Sequence, residues 1–447
     1  MEHRGTQIPG ADGIQCRVGG VSARGAEHRA GPGAAAGEHD RVAVGPVIAA
    51  GVLVDLGSSP PSNSYLTAGS LQSPETWFPL RVLVCESCWL VQTEDFADVS
   101  SLFNADYSYF SGYSSTWIEH CQRFADETTK RFGLDSSSRV IEVASNDGSL
   151  LNFFHKKGMG CTGIEPTSNT AASARALGLE IVEVFLDAKT ANDLVEEGYS
   201  ADLLVANNVL AHVPDIVGFA HGCRQLLGAD GVASFEFAYL VELVSETLFD
   251  TIYHEHFSYL SLTSVEDLFK TVGLNIFDIK QLPTHGGSLR VYAHRAESTS
   301  FTTSDSVSCL REHEASLGVA SSRFYAGFQQ RSNRIKDDLM QFLIQAARSD
   351  LLLVGYGAAA KGNTLLNYAG VRPNLIPYVV DNNPAKQGKY LPGSRIPIVA
   401  EHRIVEDRPD LVLVLPWNIR NEVGQRLESL AGWSGSIVTA VPELRVD

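Results

Sequence analysis

From about residue 52 onward, short runs of strand-forming residues alternate with stretches whose apolar positions recur at helical spacing. The pattern is sharpest between Arg139 and Glu165. Val140, Ile141 and Val143 lead into the small polar turn Ala144-Ser-Asn146-Asp147-Gly148, a helix is predicted from about Ser149, and Gly160 to Ile164 forms a second run ending on Glu165. Upstream, Ile118, Cys121, Phe124, Ala125 and Thr128 mark one face of a helix from Trp117 to Phe132. Downstream the unit repeats: helix from Asn169, strand from Glu180, helix from Ala191, strand from Ala201 to Asn208, strand from Gly231 to Phe237, helix from Ser264 and strand from Leu274. Strands alternating with helices predict an α/β fold with a doubly wound, mostly parallel sheet and a ligand at the strand C-termini.

A second such unit closes the chain. Leu351 to Val354 enters Gly355-Tyr-Gly357-Ala-Ala-Ala-Lys361-Gly362, and the strand from Tyr378 ends on Asp381, 19 positions after Gly362. Lys361 precedes its glycine and no G-K-[ST] follows, which excludes a P-loop. Helix N-terminal amides with Lys361 are expected to hold a diphosphate. Residues 297–308 are Ser/Thr-rich and read as a linker, and Glu312 to Arg348 as largely helical.

At the other end, residues 1–50 show neither period and little apolar surface, and read as a disordered tail. The strand from Phe78 to Val84 runs into Cys85-Glu-Ser-Cys88, the shape of a zinc knuckle. A structural zinc site takes four ligands. Either Cys16 with His28 or His39 completes it, or Cys85 and Cys88 are a vestigial half-site. The organisation expected is a tail (1–50), a zinc-binding-like module (51–105), a central α/β domain (106–296) and a C-terminal Rossmann-like domain (297–447).

The chain has 447 residues, a net charge of -17 and seven thinly spread cysteines. Acidity argues against a nucleic-acid partner, which needs a basic footprint. The cysteine usage fits a reducing compartment rather than a disulfide framework. No apolar run approaches the ~18 residues of a membrane span. A soluble, cytoplasmic protein, monomeric and without a membrane partner, is the expectation.

The chemistry sits at the predicted strand ends. Ala144 and Asn146 stand where a dinucleotide fingerprint wants glycine, a departure that favours S-adenosylmethionine (SAM) over NAD. Glu142, Ala144, Asn146, Asp147 and Gly148 would hold the cofactor, with Asn207 and Asn208 at the neighbouring edge. Glu165, 17 positions after Gly148, would accept the ribose hydroxyls. His212 sits at the same edge. Tyr253-His254-Glu255-His256 packs proton carriers between apolar flanks, a pattern costly to bury without a function. Its histidines are two apart, unlike the zinc-protease H-E-x-x-H. Arg290 alternates outward on a strand after Gly286-Gly287, and Tyr107, Tyr109 and Tyr113 suit a lid over a sugar.

Together these stretches resemble the sugar C-methyltransferases that act on nucleotide-linked keto-deoxysugars in antibiotic biosynthesis. The matching words are Leu56-Gly57 with Pro60 and Asn63, Phe78-Pro79-Leu80-Arg81 with Cys85 and Cys88, Tyr107-x-Tyr109 with Ser111-Gly112-Tyr113, Glu142 to Gly148, and Gly163-Ile-Glu165-Pro166. They continue with Asn207 to Val213, Tyr253 to Tyr259, His285 to Arg290 and Gly355 to Gly362, in collinear order over residues 51–447. The resemblance implies a zinc-binding N-terminal module, a central SAM-binding domain and a C-terminal Rossmann-like domain assisting nucleotide-sugar binding. Two departures stand out: the family's first C-x-x-C has no counterpart in residues 1–50, and its first loop glycine is Ala144 here. The reaction it implies is C3 methylation of a dTDP-4-keto-deoxysugar. In that scheme His256, oriented by Glu255, is the base, Tyr253 and His212 hydrogen-bond the enolate oxygen or its neighbours, Tyr107 and Tyr113 close over the sugar, and Lys361 with Arg290 meets the diphosphate. The competing readings are an NAD-dependent nucleotide-sugar oxidoreductase or epimerase and a non-catalytic sugar-nucleotide-binding protein.

Overall fold

The computed structural model describes residues 50–94, 110–113, 115–430 and 432–447. The expected tail, Cys16, His28, His39, Tyr107 and Tyr109 lie outside these residues. Strands β1 (Ala50–Ser59), β2 (Phe78–Cys85) and β3 (Val91–Thr93) form an antiparallel meander, and Cys85 to Cys88 begins the β2–β3 turn.

The central sheet takes β4 (Arg139–Val143), β5 (Gly160–Ile164), β6 (Glu180–Val182), β7 (Ala201–Asn207) and β8 (Leu227–Ala238). The next strand, β9 (Ser258–Tyr259), leaves this sheet and pairs antiparallel with β3, so the meander gains its fourth strand from the middle of the chain. Strands β10 (Leu274–Leu282) and β11 (Ser288–Arg295) return to the central sheet, whose order is β10-β11-β8-β7-β4-β5-β6. Strand β11 is antiparallel to both its neighbours, while the pairs from β8 to β6 are parallel. A parallel sheet covered on both faces needs apolar residues in both phases of the strand. Accordingly Val140, Leu203 and Val205 pack on one face against Phe124 and Phe154, while Ile141, Val143, Leu204 and Ala206 face the opposite core with Phe219.

The C-terminal sheet contains β12 (Leu353–Tyr356), β13 (Val379–Val380), β14 (Ile398–Val399), β15 (Leu411–Val414), β16 (Ser436–Thr439) and β17 (Arg445–Val446). Its order is β14-β13-β12-β15-β16-β17, parallel except for β17. One apolar core joins this sheet to the N-terminal meander: Val54, Leu80 and Val82 share it with Phe249, Ile252, Leu366 and Leu413. Among the described residues no helix is long and apolar enough to cross a membrane.

The stretch read as a linker is tied to the central domain. Ser304 and Ser306 both donate to Asp278 Oδ1 at 2.6 Å, and the helix Asp305–Leu317 that follows buries Val307 and Leu310 in the central core. Its Glu314 is 1% exposed and accepts from Tyr239 Oη (2.9 Å), Leu262 N (2.7 Å), Thr263 N (2.8 Å) and Thr263 Oγ1 (2.6 Å). A carboxylate from another helix thus satisfies the first-turn amides of the helix Leu262–Val272. Glu314→Ala should destabilise the protein by about 3 kcal/mol, because its buried donors lose their acceptor. A lower urea midpoint with unchanged slope checks this, and Glu314→Gln should lose less.

Candidate functional site

The central sheet order reverses at β4, between β5 and β7, and the candidate site lies where these strands end. The chain leaves β4 with Ala144 (φ 56), Asn146 (φ 50) and Gly148 (φ 77) in the left-handed region. Ala144 N and Ser145 N both donate to Ile164 O, at 2.7 and 3.3 Å, which folds the loop back across β5. Only glycine fits at 148, since a Cβ there would lie 2.5 Å from Leu179 Cδ1. At 144 an alanine carries the conformation that glycine adopts at least cost.

Glu165 is buried at the end of β5. Its Oε2 accepts from Asn146 N at 2.9 Å, while Oε1 accepts from Thr167 N at 3.0 Å and from the Thr167 hydroxyl. Of roughly four acceptor positions on a carboxylate, one on Oε2 is left for a ribose hydroxyl, rather than the pair expected. Asn146 Oδ1 accepts from Ser111 N at 2.9 Å and Asp147 Oδ2 from Gly112 N at 2.8 Å. These two side chains therefore hold the 3-10 turn Ser111–Tyr113 onto the loop, a task their sequence positions did not disclose.

Asn207 ends β7 with both side-chain amide atoms buried and without a hydrogen-bond partner among the described residues; Glu142 Oε2 and Ser145 Oγ share that condition. Burial raises the Glu142 carboxyl well above its ordinary range. Unpaired buried polar atoms are costly unless a ligand meets them. SAM, with amino, carboxylate and hydroxyl groups, matches that mixed set of donors and acceptors. Asn208 (φ 54) turns the chain out of the sheet, its N–H donating to Glu236 O at 2.7 Å.

Here the segment after residue 248 meets the β7 edge. His212 Nδ1 lies 2.8 Å from Glu255 O, and His256 Nδ1 lies 2.8 Å from Thr251 O. A carbonyl only accepts, so each imidazole carries a proton on Nδ1. The two rings are 4.6 Å apart, and the Tyr253 ring lies 3.9 Å from that of His256. Desolvation pulls His212 down to about 4, so it is neutral at ordinary pH. His254 turns away, its Nε2 set 3.1 Å from Pro79 O.

Two expectations need correction. Glu255 does not orient His256 through its side chain: Oε1 accepts from Asn63 N (3.3 Å) and Asn63 Nδ2 (3.1 Å), and the Thr251 carbonyl orients the imidazole. Glu255 Oε2 is buried with no partner among the described residues, and burial raises this carboxyl. Arg290 does not point outward, because β11 is covered on both faces. It is 1% exposed, bonded to Glu236 Oε2 through Nε (3.1 Å) and Nη2 (2.5 Å), with His120 Nε2 3.0 Å from the same oxygen. That ion pair removes it from the diphosphate role.

Lys361 is half-buried at the C-terminal sheet, 2.7 Å from Asn418 Oδ1 and over the Trp417 ring. Trp417 Nε1 donates to Asp250 Oδ2 at 2.7 Å. Burial lowers the Lys361 ammonium and lifts Asp250 to about 6. Asp381, the acid a dinucleotide fold would offer to ribose, accepts instead from Ala358 N and Asn383 N, both at 2.8 Å. The sequence reading gave Asp250, Glu236 and Trp417 no role at the site, and their one signal was a polar or aromatic residue inside an apolar run. Tyr113 belongs to the turn seated on the loop after β4. Cys85 and Cys88 are buried, and Ser87 N lies 3.4 Å from Cys85 Sγ, as in a knuckle. Among the described residues no group of three or more His, Cys, Asp or Glu could hold a metal, so this pair does not complete a zinc site there.

Three family models match in series: "Putative zinc binding domain" over residues 51–103, "Methyltransferase domain" over 117–279 and "C-methyltransferase C-terminal domain" over 283–442. The C-methyltransferase NovU of Streptomyces niveus is 33% identical over 394 residues, covering 88% of this chain and 93% of NovU. A ubiquinone biosynthesis O-methyltransferase of Histophilus somni is 29% identical over 142 residues, 30% of this chain and 55% of that protein. Among solved structures, magnesium protoporphyrin IX methyltransferase of Synechocystis with bound SAM is 14% identical, covering 45% of this chain and 98% of that one with a TM-score of 0.33. With the likeness to NovU running nearly end to end, the chain belongs to the SAM-dependent C-methyltransferase family.

Proposed function

We propose that the protein methylates C3 of a dTDP-linked 4-keto-deoxysugar through an enolate. The observation that carries this reading is the pair of Nδ1-protonated imidazoles beside Tyr253, a set of proton carriers held at the mouth of a methyltransferase loop. A C–H next to a ketone becomes labile once the enolate oxygen is stabilised. His256 Nε2 takes the C3 proton, and the electron pair of that bond moves into the enolate. The Tyr253 hydroxyl is the donor for the enolate oxygen. SAM, when bound, supplies a sulfonium methyl group, which the enolate carbon takes as the sulfur–methyl bond breaks toward sulfur.

His212 is assigned to the neighbours of the enolate oxygen rather than to the oxygen itself. With its proton committed to Glu255 O, its neutral ring has no hydrogen for an enolate oxygen. It serves as an acceptor for a sugar hydroxyl. Glu255, whose Oε2 lacks a partner among the described residues, is assigned to a sugar hydroxyl. Glu142, Ala144, Asn146, Asp147, Gly148, Glu165, Asn207 and Asn208 form the SAM cradle, and Tyr113 and Lys361 complete the substrate side. The likeness to a C-methyltransferase over 88% of the chain weighs against the NAD-dependent reading.

Incubation with a dTDP-4-keto-2,6-dideoxyhexose in deuterated water tests the proposal by mass spectrometry. A methyl gain requiring SAM is expected, and deuterium uptake above the enzyme-free level without it. His256→Asn should slow both by about 1,000-fold; unchanged rates would remove the base assignment. The His212 shift gives a separate check. Unfolded imidazole binds its proton near 6.5, whereas the folded ring resists it down to about 4. The stability from this group is therefore complete above about pH 6.5 and is lost as pH falls toward 4. His212→Asn should show a smaller drop in Tm between pH 7 and pH 5 than the parent.

A further inference from the structure

The C-terminal sheet unit reaches the catalytic cluster through hydrogen bonds that the reaction scheme does not use. Thr364, 2% exposed on the helix Ala360–Ala369, donates its hydroxyl to Ile252 O at 2.8 Å. Trp417, just beyond β15, donates Nε1 to Asp250 Oδ2 at 2.7 Å. Asp250 is fully buried and its Oδ1 has no partner among the described residues. The indole is seated against Gly286, where a Cβ would lie 2.3 Å from its Cη2. Between the two anchored residues stands Thr251, whose carbonyl takes the proton of His256 Nδ1 at 2.8 Å.

We infer that Thr364 and Trp417 are positioning residues for His256: by pinning Ile252 and Asp250 they fix the Thr251 carbonyl, and with it the tautomer and orientation of the imidazole. The physical step is short. If the Phe249–Thr251 turn shifts, the carbonyl no longer selects the Nδ1 proton, and the ring is free to carry its proton on Nε2, where it cannot act as a base. The C-terminal unit is on this view part of the base's support as well as a neighbour of the substrate. The catalytic consequence rests on the enolate reading above, but the tautomer does not.

The test uses the full-length chain labelled with 15N-histidine, its His256 signal identified by loss in His256→Asn, together with turnover of the keto-sugar. The parent should show His256 protonated on Nδ1. Thr364→Val and Trp417→Phe should each bring in the Nε2-protonated form and lower kcat about tenfold with KM within about twofold, while Thr364→Ser restores the spectrum and the rate. An unchanged tautomer in both Thr364→Val and Trp417→Phe would overturn the inference, as would a loss confined to KM. Should one variant fail to fold, as judged by its thermal melt, the other decides. If the parent neither exchanges nor methylates the sugar, the functional reading falls, and the imidazole spectrum still decides this one.

Discussion

The segment from Asp250 to Tyr259 is the constraint on which the rest of the structure turns, because every packed unit of the chain holds a part of it. The C-terminal unit takes Asp250 and Ile252. The N-terminal meander takes His254 at Pro79, Glu255 at Asn63 and the His256 carbonyl through Thr93 Oγ1, and then pairs β9 with β3. The central domain takes the Glu255 carbonyl through His212 and the Phe257 amide at Ala211. A stretch of so many titratable groups could not be buried by one domain without stranding several of them. Distributed among three, Asp250 Oδ2, His254 Nε2 and Glu255 Oε1 each find a partner on a different surface, and the backbone is held at several points along its length. The shared core of Val54, Phe249, Leu366 and Leu413 is the apolar side of the same arrangement.

The backbone of the loop after β4 was legible in the sequence because its demands are local. A strand, a turn that needs left-handed backbone, and an acid at the end of the next strand are specified by residues within 27 positions of one another, from Arg139 to Glu165. Ala144, read as standing in a glycine position, does adopt φ 56. What the side chains at that turn do was less accessible. Asn146 and Asp147 spend their oxygens on the backbone of Ser111 and Gly112, 35 residues upstream, and nothing in the spacing announces it.

The misreadings share a cause. Reading Arg290 as outward assumed that alternation along a strand means one wet face, which fails for a strand covered on both sides. Reading Glu255 as the partner of His256 assumed that sequence neighbours face each other. In an irregular segment adjacent side chains diverge, and here one goes to Asn63 while the other is held by Thr251. The Ser/Thr-rich stretch 297–308 suggested a linker because hydroxyls are common in loops, yet Ser304 and Ser306 both donate to Asp278.

The buried ion pair beneath the site follows from the same accounting of polar groups. Glu236 lies opposite Asn207 in the β7–β8 register. Burial works to raise its carboxyl, but the His120 hydrogen bond and the Arg290 charge outweigh burial and hold it at about 2. An ionised carboxylate buried beside the end of β7 needs a countercharge. With Arg290 stacked over Phe124 and bonded to Glu236, that charge is neutralised within the core. The strand end is then left with the neutral amide of Asn207 and, five residues on, with the His212 imidazole, which burial keeps neutral.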